Sequence, residues 1–124
     1  MRTVLVLLVA LGLAGCTRWS LDQHMDNAYR SYDRGDCARV MLELSKAERK
    51  SRSRRYLQPE ISLLRGQCLE RQTLYVDAAQ TYEFILTRYP SSEYAFRAEA
   101  RLDTLRQLGH YGGAEPVKVG TTKP

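Results

Sequence analysis

The sequence predicts an all-α fold of about five helices. Apolar residues recur with helical spacing, most clearly between Cys37 and Ala47, where they would form one stripe along a helix. No stretch shows the alternation of apolar and polar residues that is typical of a half-buried strand. Gly35, Pro90 and Gly109 interrupt the pattern and divide the chain into segments of helical length. These observations favour short helices joined by tight turns.

The chain begins with a short apolar run, from Val4 to Gly15, behind a single basic residue, Arg2. This run is shorter than the roughly 20 residues that a membrane-spanning helix needs. A basic start, an apolar middle and small residues before a cleavage point are typical of an export signal. We therefore expect residues 1–15 to be a signal peptide.

The end of this run, Leu13-Ala14-Gly15-Cys16, resembles the lipobox of bacterial lipoproteins. The resemblance implies that Cys16 becomes the acylated first residue of the mature chain, followed by a lipidated linker over 16–19. Two or three acyl chains would give stable membrane anchoring. Thr17 stands where an aspartate commonly causes inner-membrane retention, so the resemblance implies the periplasmic face of the outer membrane. The alternative is an ordinary secretory signal with an incidental cysteine.

Helix boundaries can be read from capping and breaking residues. Ser20-Leu21-Asp22-Gln23 has the spacing of a capping box and predicts a helix start near Leu21. A second helix follows Gly35-Asp36, a third begins at Pro59, and a fourth runs from about Val76 to Arg88. Ser91 or Ser92 caps a fifth helix, which ends at Gly109. The predicted buried stripes are Cys37, Val40, Met41, Leu44 and Ala47 in the second helix and Ala95, Ala98, Leu102 and Leu105 in the fifth. Few large apolar residues follow, so residues 111–124 are predicted to be a flexible tail.

Residues 59–92 resemble a tetratricopeptide repeat. That motif has, in order, a small residue, a large one, a small one, an aromatic and a proline, matched here by Gly66, Leu69, Ala78, Tyr82 and Pro90. The match departs at Ser62 and Arg65, where an aromatic residue and a leucine are usual. The resemblance implies a short α-solenoid of antiparallel helix pairs over 20–110, with a degenerate repeat at 20–58 and a capping helix at 93–109. An unrelated antiparallel bundle is the alternative, because it shares this periodicity.

In the repeat family, the first helices of successive repeats line a concave groove that binds protein segments. Carried over residue by residue, the groove positions are Asp22, Met25, Tyr29, Tyr32 and Asp33 in the first copy, Glu60, Leu63, Gln67, Glu70 and Arg71 in the second, and Tyr94, Arg97 and Arg101 in the capping helix. Tyrosines with mixed charges would suit a peptide. The alternative is that these are ordinary exposed positions.

The stretch "FILTRYPSSEYAFRAEARLDTLRQLG" resembles the segments between repeats in envelope proteins, such as the repeat lipoprotein of the β-barrel assembly machine and the Tol-associated periplasmic coordinator. The resemblance implies a lipid-anchored scaffold whose partner is an envelope protein or peptide segment. A pilotin-like lipoprotein that escorts secretin subunits is an alternative.

The formal net charge of +5 is mild, and an exported chain meets no nucleic acid. Much of this charge lies in one basic segment, formed by Lys46, Arg49, Lys50, Arg52, Arg54 and Arg55. The segment is either a solvated helix end or a contact for anionic headgroups. His24 and His110 are far apart in sequence, and no motif for catalysis, metal binding or phosphate binding occurs. We expect no enzyme activity, cofactor, metal or small-molecule substrate.

Two cysteines remain besides Cys16. Cys37 and Cys68 belong to a chain bound for an oxidising compartment, where an even pair commonly forms a disulfide. The repeat register places Cys37 at the start of one helix and Cys68 towards the end of the next, which packs antiparallel to it. A disulfide between them is therefore expected, with two separately buried thiols as the alternative.

Overall fold

The computed structural model describes the backbone of residues 1–112 and the side chains of that range apart from those of 10–17. Five α-helices and one short 3-10 helix make up this part of the chain: α1 (Arg2–Asp33), α2 (Cys37–Lys50), η1 (Arg55–Leu57), α3 (Gln58–Arg71), α4 (Tyr75–Arg88) and α5 (Glu93–Gln107). No strand occurs within residues 1–112. The expected all-α class is confirmed.

The first helix differs from the expectation. The capping-box spacing at Ser20 predicted a start near Leu21, but α1 is continuous from Arg2. The predicted linker over 16–19 is accordingly helical in this chain. The segment before Leu21 contains no proline and is rich in leucine and alanine, which are strong helix formers, so the helix has no reason to restart.

The turns between helices follow the sequence signals closely. Asp36 caps α2, with its carboxylate accepting a hydrogen bond from the Arg39 amide at 3.0 Å. Ser92 caps α5 in the same way, accepting from the Ala95 amide at 3.2 Å. Gly35 ends the first turn with a φ of 77°, a left-handed conformation that glycine adopts without strain. Helix α3 starts one residue before Pro59, which lies in its first turn.

Two clusters of buried side chains hold the helices together. The first joins α1, α2 and α3, and the second joins α3, α4 and α5. Helix α3 contributes to both, with Ile61 and Leu64 in the first cluster and Leu63 in the second. Each helix packs on the next, and α3 also contacts α5. This arrangement, in which alternate helices come together on one side, is what a helical repeat array requires.

The predicted stripes of α2 and α5 are buried. The α2 stripe lies in the first cluster, with Met41 partly buried at its margin, and the α5 stripe lies in the second. The predicted tail begins too early, because Tyr111 packs against the second cluster and donates a hydrogen bond to Glu83. Its ring supplies apolar surface that the second cluster can cover. Residues 113–124, the rest of that segment, lie outside the described residues.

Cys37 and Cys68 form the expected disulfide. Their Cα atoms lie 5.5 Å apart, within the range that a disulfide spans, and both side chains are buried. Cys37 is the first residue of α2 and Cys68 lies in the last turn of α3. The bond closes a sequence separation of 31 residues and joins the two helix pairs.

Candidate functional site

The last turns of α1 and α3 meet at Tyr32 and Arg71. The Arg71 guanidinium lies 3.5 Å from the centre of the Tyr32 ring and donates a hydrogen bond to the Tyr32 carbonyl oxygen. A guanidinium stacked on an aromatic face is attracted by the ring electrons. This contact brings two of the predicted groove residues together and links helices that are separated in sequence.

A cleft of about 350 Å³ lies beside this contact, on the side where α1, α3 and α5 converge. Five of the thirteen groove positions carried over from the repeat family line it: Tyr32, Gln67, Glu70, Arg71 and Arg101. The remaining lining residues are Tyr75, Leu105, Leu108 and His110. The cleft therefore presents a mixed surface of aromatic, apolar and charged groups.

Glu70 organises the centre of the cleft. Its carboxylate accepts hydrogen bonds from the Tyr82 hydroxyl at 2.6 Å and from Arg101 Nε at 2.9 Å. Burial alone would raise the pKa of Glu70, but the bonds from Arg101 and Tyr82 outweigh it and hold that pKa below 4.5. The hydrogen bond to Glu70 raises the pKa of Arg101. The pair is thus a fixed structural ion pair that joins α3 to α5 across the floor of the cleft.

Tyr29 and Arg97 belong to a second group of side chains, formed with Glu60 and Tyr94. The Tyr29 hydroxyl donates to Glu60 Oε1 at 2.7 Å. Burial, and then the hydrogen bond to Glu60 and its negative charge, raise the pKa of Tyr29, while the nearby Arg97 opposes them. Burial and the charges of Glu60 and Glu93 raise the pKa of Tyr94 to about 12. Arg97 itself is mostly exposed, with its guanidinium 5.7 Å from the centre of the Tyr94 ring.

Four further positions carried over from the repeat family belong neither to the cleft nor to the group around Tyr29. Met25 and Leu63 are buried in the two core clusters, because apolar side chains at these positions fill the space between helices. Asp22 and Asp33 are exposed on α1, and neither is among the residues that line the cleft. Neither of the two apolar positions lines the cleft, whereas five of the polar, charged or aromatic positions do.

Sequence reasoning missed the aromatic wall of the cleft. The Tyr75 and His110 rings stack with their centres 3.9 Å apart, at an interplanar angle of 12°. Leu108 lies beside them with 63% of its surface exposed. His110 follows the Gly109 turn, and the turn carries the chain back over the cleft. Such a return is decided by the turn and by packing, so no local pattern signals it.

The basic segment is divided by the fold. Arg49, Arg52 and Arg55 line a second cleft of about 740 Å³, where Arg88 of α4 joins them. Lys46 instead contacts the buried Glu43, with its Nζ 3.4 Å from Oε1. Arg54 is partly buried and Lys50 is exposed, and neither lines this second cleft. We call Arg49, Arg52, Arg55 and Arg88 the arginine cleft.

Glu43 is a buried carboxylate with several donors. His24 Nδ1 lies 2.7 Å from its Oε2, and the Glu43 side chain is only 2% exposed. Burial would raise the pKa of Glu43, but hydrogen bonds from His24 and Lys46 outweigh it and lower that pKa. His24 therefore has a structural partner on α2, which its sequence context did not indicate.

Within residues 1–112 no group of three or more histidine, cysteine, aspartate or glutamate side chains is placed to hold a metal ion. In the same described part, no helix combines the length and hydropathy needed to cross a membrane.

The chain was compared with protein-family models, curated proteins and solved structures, and none of them matches it.

Proposed function

We propose that this protein is a lipid-anchored periplasmic scaffold of the tetratricopeptide-repeat type, which binds a segment of a partner protein of the cell envelope. In this proposal Cys16 carries the lipid, and the outer membrane holds the protein on its periplasmic face. The cleft between α1, α3 and α5 receives the partner. The lipobox resemblance supports the anchor, and the position of the groove residues supports the binding role.

One observation carries the binding role: Tyr32, Gln67, Arg71 and Arg101 line one cleft although they come from three different helices. Those helices are the first members of successive helix pairs, which is where the repeat family places its groove. Their convergence supports the proposal that they belong to one binding surface.

The chemistry of the cleft indicates what kind of segment it takes. Leu108 and the stacked Tyr75 and His110 rings offer apolar contact for a side chain. Gln67 can pair with a peptide group, because an amide both donates and accepts. Arg71 and Arg101 are already held by Tyr32 and Glu70. Arg97 lies outside the cleft, in the group around Tyr29, and its guanidinium is mostly exposed and only 4.0 Å from Glu93. An exposed guanidinium of this kind can also pair with a partner carboxylate, so we propose a segment with an apolar residue and an acidic residue.

The test is site-specific photo-crosslinking in intact cells. A photoreactive residue is placed at Gln67, inside the cleft, and in a matched control at Leu42, which is 49% exposed on α2. We expect position 67 to trap a defined envelope protein, identified by mass spectrometry, and position 42 not to trap it. A synthetic peptide covering the trapped segment should bind the purified protein and compete with crosslinking.

Equal trapping from both positions, or a trapped segment that lacks an acidic residue and ignores changes at Arg97, would argue against this groove. The lipid anchor is tested separately, through Cys16.

A further inference from the structure

The arginine cleft, which the groove does not use, lies at one end of the helix array. Its walls come from the end of α2, from η1, from the start of α3 and from the end of α4. The opposite end carries the α1–α2 turn, the disulfide and the α3–α4 turn. All four arginines are exposed, and within residues 1–112 none of their guanidinium groups forms an ion pair with a carboxylate.

The carboxylate that lines the cleft does not offset this charge. Glu48 accepts hydrogen bonds from Arg65 Nη2 at 3.0 Å and from Gln58 Nε2 at 2.8 Å. Burial would raise the pKa of Glu48, but these two bonds outweigh it and lower that pKa. Glu48 is therefore paired with a fifth arginine on α3, and the four cleft arginines keep a net positive charge.

The register of α1 against α2 places this cleft next to the proposed lipid anchor. The two helices pack on each other around a three-residue turn and run antiparallel, and His24 pairs with Glu43. Cys16 lies eight residues before His24, and Ser51 lies eight residues after Glu43. Because the two helices run antiparallel, the backbones of Cys16 and Ser51 lie at the same level. Ser51 lines the arginine cleft. The anchor point and the arginines thus lie at the same end of the array.

Aromatic side chains are exposed at this same end. Trp19 follows the anchor point on α1 and is 71% exposed, and Tyr56 of η1 is also 71% exposed. Tyr56 lines a small cleft that shares Arg88 and Tyr89 with the arginine cleft. Tryptophan and tyrosine favour the headgroup level of a membrane, and arginines there attract anionic lipids. A membrane that holds Cys16 would lie next to this end of the array, which favours lipid headgroups over a protein as the occupant.

We propose that this end of the molecule docks on anionic phospholipid headgroups beside the anchor, with the arginine cleft taking the phosphates and Tyr56 entering the interface. Docking fixes the orientation of the domain, so that the partner cleft near Leu108 faces away from the membrane. The inference uses the lipid anchor of the proposed function but not its peptide groove. Each arginine near an anionic surface strengthens such binding by about fivefold, and salt weakens it.

The test places one fluorescent probe at each end of the array. Trp19 is the single tryptophan of the chain, so Trp19→Phe removes the background signal. Tyr56→Trp then reports the proposed docking end, and Leu108→Trp, at a position 63% exposed, is the matched control at the opposite end. Full-length protein, purified from membranes, is reconstituted in vesicles that contain brominated lipids. One set contains phosphatidylglycerol and phosphatidylethanolamine, and the other phosphatidylcholine alone.

We expect the probe at position 56 to be quenched in the anionic vesicles. This quenching should disappear in the neutral vesicles and at high salt. The probe at position 108 should show little quenching in either type of vesicle. Exchange of Arg52, Arg55 and Arg88 for glutamine should abolish the quenching at position 56. The matched control exchanges Arg30, Arg34 and Arg106 for glutamine, which removes the same charge from the opposite end and should leave the quenching unchanged.

Vesicle flotation separates failure of the anchor from failure of docking. Protein that floats with both vesicle types, but whose two probes are quenched alike, has an anchor and no docking surface, and the proposal is wrong. Flotation with anionic vesicles alone supports docking without the anchor. Protein that floats with neither vesicle type contradicts both the lipid anchor and the docking proposal.

Discussion

Gly66 lies against the ring of Tyr82, so closely that a Cβ atom at position 66 would come 2.5 Å from Tyr82 Cε1. Tyr82 is fully buried and its hydroxyl is held by Glu70, so the ring cannot move aside. The contact joins α3 to α4, and the small and aromatic positions of the sequence motif meet in it. The close approach of these two helices depends on the absence of a side chain at this glycine.

Replacing this glycine should destabilise the protein. Gly66→Ala gains helix propensity of about 1 kcal/mol, but the overlap with a fixed ring costs roughly 1–3 kcal/mol or more. We expect the clash to dominate and the melting temperature to fall by several degrees. Thermal unfolding followed by circular dichroism measures this. Combining Gly66→Ala with Tyr82→Leu should give a smaller loss than the sum of the two single changes, whereas simple additivity would show that the two residues do not interact.

The disulfide should contribute a large share of stability. Closing a loop with a separation of 31 residues constrains the unfolded chain by about 3–4 kcal/mol. Cys37→Ala with Cys68→Ala should lower the free energy of unfolding by about that amount, measured by urea denaturation. Reductant should destabilise the natural chain similarly and leave the double variant unaffected. Two free thiols titratable in the unfolded, unreduced protein would contradict the bond.

Acid should destabilise the fold because it protonates the Glu70 carboxylate. Because its folded pKa lies below its ordinary value of 4.5, the carboxylate stabilises the fold above that pH. This contribution decreases as the pH falls below 4.5 and is lost once the pH passes the lowered pKa. Glu70→Gln should cost about 1–3 kcal/mol at neutral pH and flatten the acid dependence. Glu99→Gln, at an exposed site in α5, is the control and should leave the pH profile unchanged. An unaltered profile in Glu70→Gln would contradict the assignment.

Partner binding should also depend on Tyr29 and Arg97, which lie outside the cleft in the second group of groove side chains. Changing both to alanine removes an aromatic contact and a mostly exposed guanidinium, so crosslinking of the partner from position 67 should decrease. Both side chains are substantially exposed, at 41% for Tyr29 and 63% for Arg97, so stability should change by only about 1 kcal/mol or less. Circular dichroism and melting verify the fold. A large loss of fold would show instead that these residues are structural.

Anchoring should depend on Cys16. Cys16→Ser removes the proposed acylation site, so a chain from which the signal has been cleaved should leave the membrane fraction. Fractionation after a high-salt wash, with mass spectrometry of the mature chain for its acyl groups, measures this. The Cys37→Ala and Cys68→Ala variant retains Cys16 and should remain anchored. Membrane retention of the processed Cys16→Ser chain would refute the lipid anchor.

The sequence by itself determined the helices and most of their ends. Local signals suffice for this, because a cap such as Asp36 or Ser92 acts on amides three residues away and a glycine such as Gly35 acts on its own turn. Periodicity also identified the faces that become buried in α2 and α5. The cysteine pair followed from the repeat register, which fixes which helix ends lie together.

Tertiary structure decided what lies between the helices. Glu70 was placed in the groove by resemblance, but its pairing with Arg101 and Tyr82 depends on where α3, α4 and α5 cross. Arg88 joins Arg52 and Arg55 although it comes from a different helix, and His110 returns over Tyr75 after a turn. Such contacts join residues far apart in the chain, and their geometry is set by helix packing, which no local sequence pattern encodes.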